Sequence, residues 1–237
     1  MSVFDQLAEP IPEDESNMSG HFQKELVEIK QMVLSLGALV EERVRKIDQV
    51  IESQDGALAR KIIETDYEID QMEIDVEEEC LKALALYQPV AVDLRFLIAV
   101  IKINNDLERI GDEAVNIAER VEFLSKQAQI PFRFDYTIMV EKAQDMLKKS
   151  LDSLVNMDLG LAYQVLTLDD EVDRINREAY DAIKDAMKKL PEGGAMGCLI
   201  SMLFIARHLE RIADHATNIS EEVIYMIEGD IVRHGNL

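Results

Sequence analysis

The chain has 237 residues, of which 25 are Lys or Arg and 47 are Asp or Glu, giving a formal net charge of −22 at pH 7. This length allows one domain or two small ones with a sizeable apolar core. So acidic a chain is not expected to bind nucleic acid or an anionic membrane surface, because both repel negative charge. Basic protein surfaces and multivalent cations are the partners that this charge favours.

Other features of the composition narrow the class further. Trp is absent and aromatic residues make up only 5% of the chain, a mix that suits helices more than strands. No apolar run is long enough to span a membrane, and the acidic N-terminus does not resemble a secretory signal. The two cysteines, Cys80 and Cys198, lie in apolar stretches and are expected to be buried and reduced. We therefore expect a cytoplasmic protein.

Prolines and glycines divide the chain into helices. Residues 1–20 are acidic, contain two of the five prolines, and are expected to form a disordered tail. Pro89, Pro131 and Pro191 mark loops because proline interrupts a helix interior. Further loops are expected at the glycines Gly56, Gly160, Gly193 and Gly194. Between these breaks the pattern predicts six long helices, over residues 21–54, 56–88, 90–128, 133–158, 160–190 and 194–228.

The second half of the chain repeats the first. Leu107–Glu119 and Leu209–Glu221 share nine of thirteen residues at an offset of 102, and Asp66–Asp70 matches Asp169–Asp173 at an offset of 103. Helical periodicity alone would preserve apolar positions but not Glu, Arg, Asp and Asn in the same order. The sequence thus predicts an all-α fold of two pseudo-symmetric antiparallel three-helix bundles, over residues 21–128 and 129–237.

Each repeat carries two acidic pairs at i, i+4 spacing, which places both carboxylates of a pair on one helical face. The pairs are Asp66 with Asp70, Glu108 with Asp112, Asp169 with Asp173, and Glu210 with Asp214. The two pairs of each repeat are equidistant from the proline loop between their helices. Antiparallel helices place such residues at the same height, about 30 Å from the loop. Each hairpin is therefore expected to bring four carboxylates level with one another.

Four level carboxylates predict a cation site. They cannot all ionise cheaply without counter-charge, and an all-oxygen ligand set favours hard cations such as Mg²⁺, Ca²⁺, Mn²⁺ or oxidised iron. Asn116 and Asn218, one turn further along, are weaker candidate ligands. His208 and His215 flank the second acidic pair but have no counterparts in the first repeat. The alternative is that the acids face water or form salt bridges with basic neighbours, namely Arg109, Arg211 and Lys61.

Two stretches resemble the paired signatures of the PhoU family of bacterial and archaeal phosphate-uptake regulators. They are Asp93–Glu119, DLRFLIAVIKINNDLERIGDEAVNIAE, and Ala206–Glu222, ARHLERIADHATNISEE, within a resemblance that covers about residues 21–228. The resemblance implies two three-helix bundles and multinuclear metal sites on acidic motifs, holding iron, zinc, manganese or magnesium. The eight carboxylates named above occupy the motif positions, so neither site is lost. The N-terminal tail is an extension that the resemblance does not explain.

The resemblance also implies a function. Members of the family restrain phosphate uptake and phosphate-starvation gene expression by contacting the phosphate-specific ABC transporter and a sensor histidine kinase. We expect the same here, without nucleic-acid contact or membrane insertion. The residues show no nucleophile with an evident base, so no enzymatic activity is expected. The alternative is a metal-dependent phosphohydrolase or a metal-storage bundle. Exposed Leu and Ile side chains on the long helices favour a homodimer.

Overall fold

The computed structural model describes residues 13–189 and 195–232. It contains the helices α1 (Glu13–Ser53), α2 (Gly56–Glu64), α3 (Tyr67–Tyr87), α4 (Ala91–Ser125), α5 (Thr137–Asn156), α6 (Leu159–Lys189) and α7 (Ala195–Glu228). The all-α class is confirmed, since no strand occurs in these two ranges. None of the described helices combines the length and apolarity that crossing a membrane requires.

Some of the predicted boundaries differ from the structure. The helix predicted over residues 56–88 is not continuous, because α2 ends at Glu64 and α3 begins at Tyr67. The connection around Pro131 is longer than predicted, from the end of α4 to the start of α5 at Thr137. Residues 1–12 of the expected tail and the loop expected at Pro191, Gly193 and Gly194 lie outside the described residues. Helix α1 begins at Glu13, within the stretch assigned to the tail.

A buried arginine accounts for the break between α2 and α3. Arg43 on α1 is only 3% exposed, and its guanidinium donates to the carbonyls of Ile62 (3.2 Å) and Thr65 (2.8 Å) and to Asp66 Oδ1 (3.4 Å). These bonds serve carbonyl groups at the end of α2 that a continuous helix would have bonded internally. The counterpart of Arg43 in the second repeat, at the offset of 103, is the buried Met146, and α6 runs without a break.

Each repeat forms a three-helix bundle, and the buried apolar residues of the two bundles join into one core. Helices α1, α2–α3 and α4 pack together in the first repeat, and α5, α6 and α7 in the second. The core positions match at the offset of 103: Ile69, Val76, Cys80 and Ala83 on α3 correspond to Val172, Ala179, Ile183 and Ala186 on α6. Both cysteines are buried and free, as predicted.

The two bundles meet chiefly where α4 packs antiparallel against α7, the most extensive helix–helix contact in the described residues. Two polar pairs cross this seam: His208 Nδ1 lies 2.5 Å from Glu113 Oε2, and His215 Nδ1 lies 2.8 Å from Asp106 Oδ1. At the offset of 102, Asp106 corresponds to His208 and Glu113 to His215. The two pairs are therefore related by the pseudo-two-fold symmetry, with acid and imidazole exchanged.

A second set of contacts, further from the centre of the seam, is also related by the pseudo-two-fold symmetry. Lys102 Nζ lies 3.1 Å from Glu222 Oε2, and the guanidinium of Arg120 lies 5.5 Å from the ring centre of Phe204. The offset of 102 relates Lys102 to Phe204 and Arg120 to Glu222. A salt bridge on one side thus corresponds to a cation–π contact on the other. Two copies of the first repeat would face acid with acid at the central positions, and the histidines of the second repeat replace that repulsion with acid–imidazole pairs.

We expect Arg43→Met to lower the free energy of unfolding by about 3 kcal/mol, because it leaves the carbonyls at the end of α2 and the Asp66 carboxylate without their buried donor. Urea denaturation followed by circular dichroism measures this change. Arg45→Met, on the exposed face of the same helix, is the control and should change stability by no more than about 0.5 kcal/mol. Equal effects of the two substitutions would contradict this role for Arg43.

The seam predicts a rescue experiment. His208→Glu places a second carboxylate against Glu113, which is 3% exposed, and should cost about 3 kcal/mol of stability. Adding Glu113→His restores an acid–imidazole pair with its partners exchanged, so the double variant should be more stable than His208→Glu alone. A double-mutant cycle of urea denaturations measures the coupling. Purely additive effects would show that the two side chains do not stabilise each other.

Candidate metal centres

The first group of predicted ligands comprises Asp66, Asp70, Glu108 and Asp112 and is called here the first acid cluster. Burial and then the charge of Asp70 raise the pKa of Asp66, and Asp112 adds to the effect from α4. Burial and then the charge of Asp112 raise the pKa of Glu108, with a smaller contribution from Asp70 on α3. Carboxylates at the start of α3 and on α4 therefore lie close enough to influence each other's pKa values.

Two arginines partly neutralise the first acid cluster. Arg43 reaches Asp66, and Arg109 contacts both Glu108 Oε2 (3.3 Å) and Asp112 Oδ2 (3.2 Å). Of the salt-bridge partners considered from the sequence, Arg109 therefore does pair with these acids. The compensation is incomplete, because Glu108 Oε2 is buried and accepts no hydrogen bond. Four carboxylates share two guanidinium groups.

The second acid cluster comprises Asp169 and Asp173 on α6 and Glu210 and Asp214 on α7. Burial, then the charges of Asp214 and Asp173, raise the pKa of Asp169 to about 6. Burial, then the charge of Asp214, raise the pKa of Glu210 to about 7 even though Arg207 opposes the shift. These carboxylates thus interact across α6 and α7 as the first four do across α3 and α4.

The second acid cluster has different counter-charges from the first. Arg207 donates to both oxygens of Glu210 at 2.6 Å, and the Thr217 hydroxyl donates to Asp169 Oδ1 at 3.4 Å. The counterpart of Arg207 in the first repeat is Asn105, while Arg43 of the first repeat corresponds to Met146. Each repeat therefore supplies one close guanidinium from a position that is uncharged in the other. The carboxylates of the two clusters correspond to one another, but the basic side chains beside them differ.

The donor chemistry of both clusters fits a hard cation. Within residues 13–189 and 195–232, no three His, Cys, Asp or Glu side chains already stand in metal-ligand geometry. Ionised carboxylates close to one another repel, which raises their pKa values. Burial first, and then neighbouring carboxylates, raise the pKa values of Asp169 and Glu210, so the ionised forms of these side chains lack full compensation. Glu108 Oε2 lies 3.3 Å from Arg109 Nε but accepts no hydrogen bond. A bound Mg²⁺, Mn²⁺ or iron ion would supply further positive charge.

Several polar residues that flank the acid clusters in the sequence make contacts on the seam. The amide of Asn218 donates to Asp106 Oδ1 at 3.0 Å, His208 and His215 are engaged by Glu113 and Asp106, and Arg211 pairs with Glu113. The charges of His215 and Arg211 also oppose the rise that burial causes in the pKa of Asp214, so both lie near the second acid cluster. Asn116 is half-buried on α4, and its role as a weaker ligand stays a prediction.

Sequence reasoning missed the seam acids Asp106 and Glu113 and the buried Arg43. For the first two a signal was present. At the repeat offset of 102 the histidines replace acids at both positions, an exchange that indicates direct pairing between the repeats. Arg43 gave no such signal, since its role depends on a contact with residues 19 to 23 positions away.

Comparison with known families finds a match in each repeat. The PhoU domain model matches residues 33–121 and again residues 136–223. The chain is 36% identical over 222 residues to the "phosphate-specific transport system accessory protein PhoU homolog" of Pseudomonas putida, covering 93% of this chain and 86% of the relative. It is 38% identical over 214 residues to the protein of the same name from Aquifex aeolicus, covering 90% of this chain and 96% of the relative.

Solved structures show the same architecture. PhoU from Pseudomonas aeruginosa superposes with a TM-score of 0.84 at 36% identity, covering 88% of this chain and 100% of that structure. The "phosphate transport system regulatory protein PhoU" from Streptococcus pneumoniae superposes with a TM-score of 0.77 at 29% identity, covering 90% of this chain and 100% of that structure. The two-bundle fold is thus shared by proteins of known structure.

The raised pKa of Glu210 predicts a pH-dependent stability. The pKa of Glu210 is about 7 in the folded chain and about 4.3 in the unfolded chain. The stability contributed by protonated Glu210 is therefore fully present below pH ~4, and it is lost as the pH rises towards 7 and the buried side chain must ionise. In chelator-treated protein, Glu210→Gln should therefore gain stability relative to the unsubstituted chain between pH 4.5 and 8, by on the order of 1 kcal/mol. Thermal melts across this range measure it.

The control for this experiment is Glu171→Gln. A hydrogen bond from Lys142 lowers the pKa of Glu171, so its stabilising effect is already complete above the unfolded pKa. Glu171→Gln should therefore show no gain in stability over the unsubstituted chain in the same pH range. A Glu210→Gln variant that loses stability between pH 4.5 and 8 would contradict the charge excess assigned to the second acid cluster.

Proposed function

The chain belongs to the PhoU family, and from that premise we propose that it is an accessory protein of phosphate-specific transport that restrains phosphate uptake and phosphate-starvation gene expression. The observation that carries the proposal is the match to proteins of that name over nine-tenths of the chain, in both repeats. The relatives are named as accessory or regulatory proteins, which supports a role without catalysis.

We propose that regulation occurs at the cytoplasmic side of the membrane, through contacts with the phosphate-specific ABC transporter and a sensor histidine kinase. Two features support contacts of this kind. The long helices offer extended faces for helix-on-helix packing. The net charge of −22 favours basic partner surfaces and speeds their association. Association as a homodimer is part of the same proposal.

Each acid cluster is proposed to hold one or more cations, with iron, zinc, manganese and magnesium as the candidates. Asp66, Asp70, Glu108 and Asp112 would hold the first group, and Asp169, Asp173, Glu210 and Asp214 the second. A bound cation supplies positive charge and, where coordination positions stay open, a place for an anion such as phosphate. The arginines then limit the charge of each cluster: Arg43 beside Asp66, and Arg207 beside Glu210.

Deleting the chromosomal gene should raise phosphate uptake and the expression of a phosphate-starvation reporter in phosphate-rich medium. Uptake of labelled phosphate and reporter activity are measured in the deletion strain and after complementation. The unaltered chain should restore both to the parental level. The double variant Asp112→Asn with Asp214→Asn should fail to restore them, because it removes one carboxylate from each acid cluster.

A matched variant controls for loss of charge alone. Asp145→Asn with Asp185→Asn also removes two carboxylates, each of which pairs with a lysine on an exposed helix face. It should restore regulation fully, with both variants present at equal protein levels. Unchanged uptake and reporter activity in the deletion strain would overturn the proposed function. Equal behaviour of the two double variants would separate regulation from the acid clusters.

A further inference from the structure

Helix α3 carries an exposed apolar stripe on the side opposite its core. Tyr67, Ile74 and Leu81 are 66%, 45% and 53% exposed and follow one another at intervals of seven residues. This spacing aligns them along one face of a helix, as at the contact positions of a coiled coil. The buried residues of α3 lie on the other face. An aligned row of large exposed apolar side chains is typical of an interaction surface.

The second repeat provides an internal comparison. At the offset of 103, Tyr67, Ile74 and Leu81 correspond to Asp170, Arg177 and Lys184, all of them exposed. The two repeats share their core positions and their three-helix packing. The fold therefore does not require apolar side chains at these positions, and the stripe is a specific property of α3.

Negative charge surrounds the stripe. Helix α3 contains seven acidic residues and one basic residue, whereas residues 170–189 of α6 contain six acidic and five basic residues. On one side of α3 a groove of about 400 Å³ is lined by Glu25, Asp75 and Glu78, among others. On the other side a groove of about 640 Å³ is lined by Glu73 and Glu77 together with acids of α4 and α7. Each groove also contains one lysine, Lys82 in the first and Lys102, paired with Glu222, in the second, but acidic side chains outnumber basic ones in both. Predominantly acidic grooves thus run along both sides of an apolar row.

We propose that this face of α3 docks an amphipathic basic helix of a partner protein. Apolar side chains of that helix would cover Tyr67, Ile74 and Leu81, and its Lys or Arg side chains would enter the two acid-lined grooves. The inference deepens the proposed function, on which it rests, by assigning the chemistry of the protein that the regulator contacts.

Charge favours a basic helix over the other possible occupants of the stripe, namely a second copy of the chain, its N-terminal residues and anionic lipid. A second copy of the chain would set the seven acids of α3 against another seven, which repel. The first 20 residues of the chain contain five acidic residues and no Lys or Arg, so the same repulsion disfavours them. Anionic lipid is disfavoured for the same reason. A basic helix alone satisfies both the apolar row and its acidic borders.

The test uses a labelled 18-residue peptide with Leu at heptad positions a and d and Lys at e and g, and a second peptide of the same composition in scrambled order. Fluorescence anisotropy measures their binding to the full chain. The amphipathic peptide should bind at least about tenfold more tightly than the scrambled one. Ile74→Arg with Leu81→Lys, which copies the second repeat, should abolish this difference.

The matched control is Ile138→Arg with Val155→Lys on α5. It adds the same two charges and removes two side chains that are 59% and 44% exposed, so general electrostatic effects are equal. This variant should retain the preference, and both double variants should melt within a few degrees of the unsubstituted chain. Equal affinity for the two peptides, or equal effects of the two double variants, would overturn the proposal.

Sedimentation velocity tests whether a second copy of the chain covers the stripe instead. The Ile74→Arg, Leu81→Lys variant should keep the oligomeric state of the unsubstituted chain, and dissociation caused by this variant alone would assign the stripe to self-association and overturn the proposal. The peptide assay contains neither transporter nor phosphate. Its failure is therefore distinguishable from failure of the proposed regulatory function, which the uptake measurements test separately.

Discussion

Helices α4 and α7 lie antiparallel against each other, and the other helices of each bundle pack onto one of them. This seam fixes where the acid clusters stand, because Glu108, Asp112, Glu210 and Asp214 all project from the same two helices. The pseudo-two-fold symmetry would bring like residues together near its centre. Unlike residues now occupy the related positions, with His208 on Glu113 and His215 on Asp106. Divergence between the repeats therefore removes an acid–acid contact from the seam.

In the acid clusters, unlike on the seam, both repeats keep like charges close together. Four carboxylates are retained in each repeat, although burial and mutual repulsion penalise the ionised forms, as the raised pKa values of Asp169 and Glu210 show for the second cluster. A fold selected for stability alone would have relieved that repulsion, as it did on the seam. Residues that weaken a fold in this way are typical of functional sites. The local counter-charges differ between the clusters, so the two sites are expected to differ in cation affinity.

Local patterns in the sequence were sufficient for much of this architecture. Repetition and loop prolines together predicted the helices and the two bundles, while the cation sites expected from the i, i+4 acid spacing stay a prediction. The break at Thr65 was not predicted, because it depends on Arg43, which reaches it from another helix. The pairing of His208 with Glu113 depends on how two bundles dock, which no local pattern specifies. The stripe on α3 was hidden for a third reason: a helix that is apolar on two faces has the same sequence pattern as a buried one.

We propose that bound cations relieve the repulsion within each acid cluster. Elemental analysis of untagged protein, purified without chelator and then incubated with Fe, Mn, Zn or Mg salts, tests it most directly. The unsubstituted chain should retain several metal equivalents after gel filtration, and the variant with Asp112→Asn and Asp214→Asn should lose them. Absence of metal from both samples after every incubation would contradict the claim. The eight carboxylates would then form a charged surface on an interaction scaffold.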